Sequence, residues 1–157
     1  MNWNDIYQKN KKLDDVFQSY LDDESIIAKN CLELTVEIAE FANETRCFKY
    51  WSSKKMNKEA TLEELADSIM TCLFFYNYFD LKNVECHPIL NDDILDCLNE
   101  TFKLSTQLFD NIIPSIPPQI FSYLIHIGNL LEFSEEEIIT ACFKKIVKQE
   151  KRLKEGY

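Results

Sequence analysis

The sequence predicts an all-α helical bundle of about five to six helices. Apolar residues recur at steps of three and four along nearly the whole 157-residue chain, which is the period of an amphipathic helix. Two glycines and four prolines are too few for the turns of a β architecture. A hydrophobic share of 46% allows one sizeable core, so we expect residues 1–157 to form a single domain.

Two apolar stripes predict the first two helices. The first stripe ends near the acidic residues 22–24 and contains Leu13, Val16, Phe17 and Tyr20. The second has steps of four, three, four and three, and contains Ile27, Cys31, Leu34, Ile38 and Phe41. Both stripes recur with the helical period, so each predicts a helix with one buried face.

Capping boxes predict where two later helices begin. Thr61 and Glu64 stand three positions apart before an apolar run, as do Ser134 and Glu137. In such a box the hydroxyl and the carboxylate each accept from a backbone N–H that the first turn leaves without a partner. We therefore expect a third helix over about 61–79 and a last helix that runs from residue 134 into the C-terminal tail.

Loops and prolines bound the helices between them. Residues 83–91 contain a proline and interrupt the periodicity, so a fourth helix is expected to follow them and to end near Asp110. The prolines of residues 112–119 break the pattern again. A fifth helix is expected from Gln119 to about Leu131.

Charge and cysteine content narrow the class of protein. A formal net charge of −10 disfavours a nucleic acid polymer as partner, but not a single nucleotide that arrives with its own metal ion. The first residues carry no signal-peptide pattern and no segment reaches about 18 consecutive apolar residues, so neither secretion nor a membrane is expected. The six cysteines show no CxxC spacing and favour reduced, core-type thiols of a cytoplasmic protein.

Two carboxylate pairs lie on neighbouring predicted helices. They are Glu37-x-x-Glu40 on the second helix and Glu64-x-x-Asp67 on the third. Residues three apart on a helix share a face. Four carboxylates that converge between packed helices stay ionised only if a cation neutralises them, and oxygen ligands suit Mg²⁺ or Mn²⁺. We therefore expect these four residues to bind a divalent metal ion.

Other interpretations of these acidic residues remain open from the residues alone. An acidic stripe also suits a solvated helix face, and Glu64 is also a capping residue. Against a solvated face, residues 31–44 lack the lysines that usually accompany one. A di-iron site is excluded because it needs Glu-x-x-His, and neither His87 nor His126 stands three residues after a glutamate.

A basic and aromatic segment follows the second predicted helix. Residues 45–58 contain Arg46, four lysines and the aromatic residues Phe48, Tyr50 and Trp51, and no acidic residue. Beside a metal cluster this mixture suits a nucleotide, with cations for the phosphates and a flat ring for the base. The alternative is a loop that offsets neighbouring carboxylates, with Trp51 covering the end of the bundle.

The C-terminal tail is basic as well. Lys145, Gln149 and Arg152 share one face of the last predicted helix. Their positions suit contacts with phosphate groups, and they equally suit the negative end of the helix dipole. The residues alone do not decide between these two roles.

The stretch VEIAEFANETRCFKYWSSK, followed by LEELAD, resembles the all-α dimeric dUTPase family, whose relatives are the MazG-type NTP pyrophosphatases. The family pattern is Glu-x-x-Glu, a connection, and then Glu-x-x-Asp; here the connection between Glu40 and Glu64 has 23 residues. The segments QKNKKLDDVF and KKIVKQEKRLKEGY are similar to the first and last family motifs, although less closely.

The resemblance implies the all-α NTP pyrophosphatase fold and a Mg²⁺-dependent dUTP diphosphatase, a homodimer that converts dUTP to dUMP and pyrophosphate. It implies that the metal ligands are Glu37, Glu40, Glu64 and Asp67. Glu37 or Glu40 would be catalytic by orienting or deprotonating the attacking water, and we prefer Glu37. The implied substrate-binding residues are Asn10, Asn43, Lys49, Trp51, Lys145, Gln149 and Arg152.

The sequence departs from the family where base and phosphates are bound. The family often has glutamine at the position of Asn10 and a histidine where this chain has Met70. In the tail, asparagine is replaced by Ile146 and Gln149, and glutamine by Leu153. Catalysis is therefore expected more firmly than uracil specificity. Another nucleotide such as dCTP, and a regulatory binding protein of the same fold, are the alternatives, and the intact carboxylate quartet counts against the second.

Overall fold

The computed structural model describes residues 1–18 and 23–156. Within those residues it contains six α-helices and no strand, so the predicted all-α bundle is confirmed. The helices, in chain order, are α1 Trp3–Gln18, α2 Asp23–Thr45, α3 Lys58–Tyr78, α4 Ile94–Asp110, α5 Ile116–Leu130 and α6 Glu135–Lys154. Tyr20, the last member of the first predicted stripe, lies outside the described residues.

Helix α3 is the central element of the bundle. It packs against α1, α2, α5 and α6. Its apolar side chains are buried around most of the helix, and Leu65, Leu73 and Phe75 have no exposed surface. A helix surrounded in this way places its few polar residues at the boundaries with its neighbours. Glu64 and Asp67, both half-buried, are two of these residues.

The second predicted stripe is confirmed and the first is partly wrong. Cys31, Leu34, Ile38 and Phe41 on α2 are at most 2% exposed. On α1, Leu13 is buried but Val16 is exposed. Besides Leu13, the core residues of α1 lie in its first two turns and are Trp3, Ile6 and Tyr7. The ring of Trp3 packs edge-on against Phe121 of α5, with 5.1 Å between the ring centroids.

One of the two predicted capping boxes is confirmed. The Ser134 hydroxyl accepts from the backbone N–H of Glu137, and the Glu137 carboxylate accepts from the backbone N–H of Ser134. The Thr61 box is wrong, because α3 begins one turn earlier with Asn57 as its cap. Thr61 lies inside α3 and donates its hydroxyl to the carbonyl of Asn57. Glu64 therefore has no capping role.

Proline at the start of a helix explains the earlier start of α5. The helix begins at Ile116 rather than Gln119, so Pro117 and Pro118 occupy its first turn. The N–H groups of the first turn have no acceptor within the helix. Proline fits there because it has no backbone N–H. The predicted end of α4 at Asp110 is confirmed.

The cysteines are free thiols, but they are not all in the core. Four of them are buried, whereas Cys47 and Cys86 are exposed, which corrects the prediction of six core-type cysteines. None of the helices that the structure describes is long and apolar enough to span a bilayer.

Candidate metal and nucleotide site

Helices α2 and α3 bring three carboxylates together. Glu37 and Glu40 lie one turn apart on α2, and Glu64 faces them from α3. One carboxylate oxygen from each residue lies within 4.8 Å of the other two. Glu37 and Glu64 are half-buried and Glu40 is exposed. The cluster is therefore accessible from solvent at one side and held by helix packing at the other.

The electrostatics of this cluster suit a cation. Withdrawal from water, followed by the charges of Asp67 and Glu40, raises the pKa of Glu37 to about 7. Withdrawal from water and the same two neighbours raise the pKa of Glu64. Each carboxylate destabilises the ionised form of the next. An oxygen-only donor set with partial exposure fits a hard, partly hydrated ion such as Mg²⁺, so the residues present fit the metal that the sequence predicts.

Asp67, the fourth predicted metal ligand, has a lysine as its partner. Its Oδ2 accepts from the Nζ of Lys145 on α6, at 2.5 Å. Burial raises the pKa of Asp67, and the hydrogen bond from Lys145 only partly reverses this effect. Asp67 is outside the group of three described carboxylates whose oxygens all lie within 4.8 Å. It remains close enough to be the strongest charged neighbour of Glu37.

Lys145 also binds Glu63, which sequence reasoning did not include. The Nζ of Lys145 donates to Glu63 Oε1 at 2.8 Å, and its side chain is only 14% exposed. Burial alone would lower the pKa of Lys145, but the bonds to Asp67 and Glu63 outweigh burial and raise it. The signal for Glu63 was present in the sequence, since it is one turn from Asp67 on α3.

A cavity of about 650 Å³ extends from these residues between α1, α2, α3 and α6. Each helix contributes side chains at steps of three or four, so four helix faces line it. The predicted site residues that it brings together are Asn10, Glu37, Asp67, Lys145, Gln149 and Arg152. Apolar side chains contribute as well, among them Phe17, Ile26 and Phe74. The lining thus combines cations, amides and an apolar surface.

Asn10 is held in place by two acceptors. Its Nδ2 donates to Asp14 Oδ2 at 3.2 Å and to the carbonyl of Met70 at 3.1 Å, and the residue is 3% exposed. Asp14 lines the same cavity, and burial, followed by Asp15 and Glu33, raises its pKa to about 8. Sequence reasoning missed Asp14, although its position one turn after Asn10 on α1 was a signal.

Three predicted substrate-binding residues lie apart from this cavity. Of the described residues, Asn43, Lys49 and Trp51 are outside its lining, and Trp51 is 65% exposed. The Trp51 ring packs against the rings of Phe48 and Tyr50. The interpretation of Trp51 as a cover for the end of the bundle is therefore wrong.

Arg46 shapes the segment that carries these residues. Its guanidinium donates to the carbonyl of Lys54 at 2.8 Å and to the hydroxyl of Ser52 at 2.7 Å. Its own backbone has a positive φ of 61°, which turns the chain directly after α2. Arg46 thus joins the end of α2 to Ser52 and Lys54, which follow the exposed Trp51 in the loop.

A helical bundle that gathers carboxylates and cationic side chains around one cavity has the groups that a hydrolase of phosphoric anhydride bonds requires. A family model described as dUTPase matches residues 2–157. The chain belongs to the all-α dUTPase family and is a dUTP diphosphatase, so the family predicted from the sequence is confirmed. No curated protein sequence matches the chain.

Proposed function

We propose that this protein hydrolyses dUTP to dUMP and pyrophosphate with Mg²⁺ held by Glu37, Glu40, Glu64 and Asp67. Mn²⁺ would serve as a substitute, because it takes similar oxygen ligands. The observation that carries the proposal is the approach of three carboxylate oxygens to within 4.8 Å beside the cavity. When bound, the metal ion neutralises the carboxylates and polyphosphate and makes phosphorus more susceptible to attack.

Glu37 is the residue that we propose to orient the attacking water and accept its proton. It both belongs to the cluster and lines the cavity, whereas Glu40 and Glu64 belong to the cluster alone. A general base must reach the water that attacks the substrate. Glu37 therefore has the position for this role, and Glu40 supports it from one turn along α2.

The other cavity residues would bind the nucleotide. Lys145 and Arg152 supply positive charge for the phosphates, and Asn10 and Gln149 supply amides for polar atoms of the sugar or base. We further propose that Asn43, Lys49 and Trp51 contact the part of the nucleotide that extends from the cavity. The exposed ring of Trp51 is available for stacking on a base.

We propose further that the protein is a cytoplasmic homodimer and that each chain forms one domain. The packing of α3 against four other helices supports one domain for residues 1–157. Free thiols support a reducing compartment. Exposed apolar side chains support a partner surface: Leu32 and Val36 on α2 and Phe109 on α4 are 64%, 44% and 58% exposed.

The proposal is tested by pyrophosphate release from dUTP, dCTP and dTTP, with Mg²⁺ and with EDTA. We expect turnover of dUTP that requires Mg²⁺. Glu37→Gln and Glu64→Gln should each reduce kcat by about 100-fold or more, because each removes a ligand or the base. Glu59→Gln, at an exposed position on α3, is the matched control and should keep the rate.

Three outcomes would contradict the proposal. Equal rates with Mg²⁺ and EDTA would exclude the metal requirement. Wild-type rates in both cluster variants, with circular dichroism showing an intact fold, would exclude the assigned residues. Faster hydrolysis of dCTP than of dUTP would exclude dUTP as the preferred substrate.

A further inference from the structure

A lysine of α6 joins two acidic residues of α3 at the edge of the carboxylate cluster. Lys145 Nζ lies 2.5 Å from Asp67 Oδ2 and 2.8 Å from Glu63 Oε1. Glu63 is about half exposed and also lies 3.9 Å from Lys148 Nζ. Only Asp67 of the two acids lines the cavity. Lys145 therefore connects Asp67, a proposed metal ligand, with Glu63, which is not one.

Lys145 and a divalent cation have opposing demands on Asp67. An ammonium at hydrogen-bond distance from Oδ2 is itself a positive charge within a few ångströms of any cation that Asp67 binds. Two positive charges at this separation repel each other even in water, and more strongly where they are partly buried. The metal ion and Lys145 therefore compete for this carboxylate.

The chemistry of lysine makes an exchange of partners feasible. An ammonium group has three donors on a flexible stem, and Asp67 and Glu63 take two of them. Lys145 also lines the cavity, so its third donor is available to a phosphate oxygen. A phosphate is a strong partner for an ammonium group.

We propose that Lys145 is a positioning residue that changes partner from Asp67 to a substrate phosphate, while Glu63 holds it in place. This inference rests on the proposed function. The exchange releases Asp67 for the metal ion when the polyphosphate arrives, so metal and nucleotide binding are coupled through Lys145. Glu63 weakens the hold of Lys145 on Asp67 by offering a second carboxylate, and it keeps the ammonium beside the cavity.

The test measures Mn²⁺ binding in the absence of nucleotide. Electron paramagnetic resonance gives the concentration of free Mn²⁺, from which the affinity is calculated. Lys145→Met should bind Mn²⁺ about 3- to 10-fold more tightly than wild type, because a competing charge is gone. Lys145→Arg keeps the charge and should stay near the wild-type value. Lys144→Met, which removes an exposed lysine of the same helix, should leave the affinity unchanged.

A double-mutant cycle tests the role of Glu63. Glu63→Gln should weaken Mn²⁺ binding in the wild-type background, because Lys145 is then left with Asp67 alone. In the Lys145→Met background the same change should have little effect, since the residue through which Glu63 acts is absent. Equal effects in both backgrounds would show a general charge effect and overturn the role of Glu63.

The outcomes separate this inference from the proposed function. If the wild-type protein binds no Mn²⁺, the proposed metal site itself fails. If it binds Mn²⁺ and Lys145→Met binds it equally well or less tightly, the metal site stands and the exchange of partners is wrong. With dUTP as substrate, Lys145→Met should raise KM more than it lowers kcat, and an unchanged KM would also overturn the inference.

Discussion

At the scale of single residues, Asp14 links the cavity to the stability of the fold. Its carboxyl group accepts from Asn10, and burial, then Asp15 and Glu33, raise its pKa to about 8. In the unfolded chain the pKa of an aspartate is near 3.9. The folded protein therefore binds this proton more tightly than the unfolded chain does. The contribution of the protonated Asp14 to the free energy of unfolding is fully present below about pH 4 and is lost as the pH rises through about 8.

The variant Asp14→Asn should remove this dependence. An amide cannot ionise, and its oxygen still accepts from Asn10. The free energy of unfolding of wild type should fall between pH 5 and pH 8 because Asp14 loses its proton. The variant should not show this fall, so its stability relative to wild type should be higher at pH 8 than at pH 5 by about 1 kcal/mol or more. Urea denaturation at the two pH values measures the difference.

An exposed carboxylate serves as the control for this prediction. Asp110→Asn, at the end of α4, should change the free energy of unfolding by a similar small amount at both pH values. If Asp14→Asn and Asp110→Asn respond to pH in the same way, Asp14 is ionised at neutral pH and the account of its environment is wrong.

The clustering of three carboxylates could be predicted from the sequence, but the partner of the fourth could not. Carboxylates three positions apart on a helix share a face, so the approach of Glu37, Glu40 and Glu64 followed from spacing and helix order. The pairing of Asp67 with Lys145 joins residues 78 positions apart. It depends on how α6 docks on α3, and no local pattern in the sequence records that docking.

At the scale of helices, the start of a helix could be predicted where two capping residues exchange hydrogen bonds between side chain and backbone. Ser134 and Glu137 do so, and their pattern was correct. The same pattern failed at Thr61, because Asn57 precedes it by one turn and accepts from the backbone N–H of Ala60. A cap competes with every other polar residue nearby, so spacing alone does not select the one that is used.

Loss of the Ser134 cap should destabilise the protein measurably. Ser134→Ala leaves the backbone N–H of Glu137 without its hydroxyl acceptor, so we expect a loss of about 1 kcal/mol in the free energy of unfolding. Thr140→Ala, at an exposed position within α6, is the control and should change stability by less than about 0.5 kcal/mol. Equal effects of the two changes in thermal or urea denaturation would contradict the importance of the cap.

At the scale of the whole molecule, the fold class was predictable and the cavity was not. Helical periodicity and scarce glycine determine an all-α bundle, and one long central motif indicates the family. The cavity needs faces from α1, α2, α3 and α6, whose residues are spread from Asn10 to Arg152. Its lining depends on the arrangement of four helices, which periodicity does not specify.

The exposed apolar side chains of α2 and α4 predict how two molecules associate. The two helices are in contact here, since Thr35 Oγ1 donates to Ser105 Oγ at 3.4 Å. Light scattering should give twice the mass of one chain. Leu32→Glu or Phe109→Glu should shift the protein towards monomer, because a charge in an apolar interface is costly. A monomeric wild type, or a dimer that neither change affects, would contradict this surface as the interface.

The central claim is that Glu37, Glu40 and Glu64, with Asp67, hold a divalent cation beside the nucleotide cavity. Anomalous diffraction at the manganese edge, from crystals soaked with Mn²⁺ and a non-hydrolysable dUTP analogue, tests it most directly. We predict an anomalous peak between α2 and α3, about 2.0–2.4 Å from carboxylate oxygens of the cluster. Crystals with the analogue bound in the cavity but no anomalous peak at these carboxylates would contradict the account.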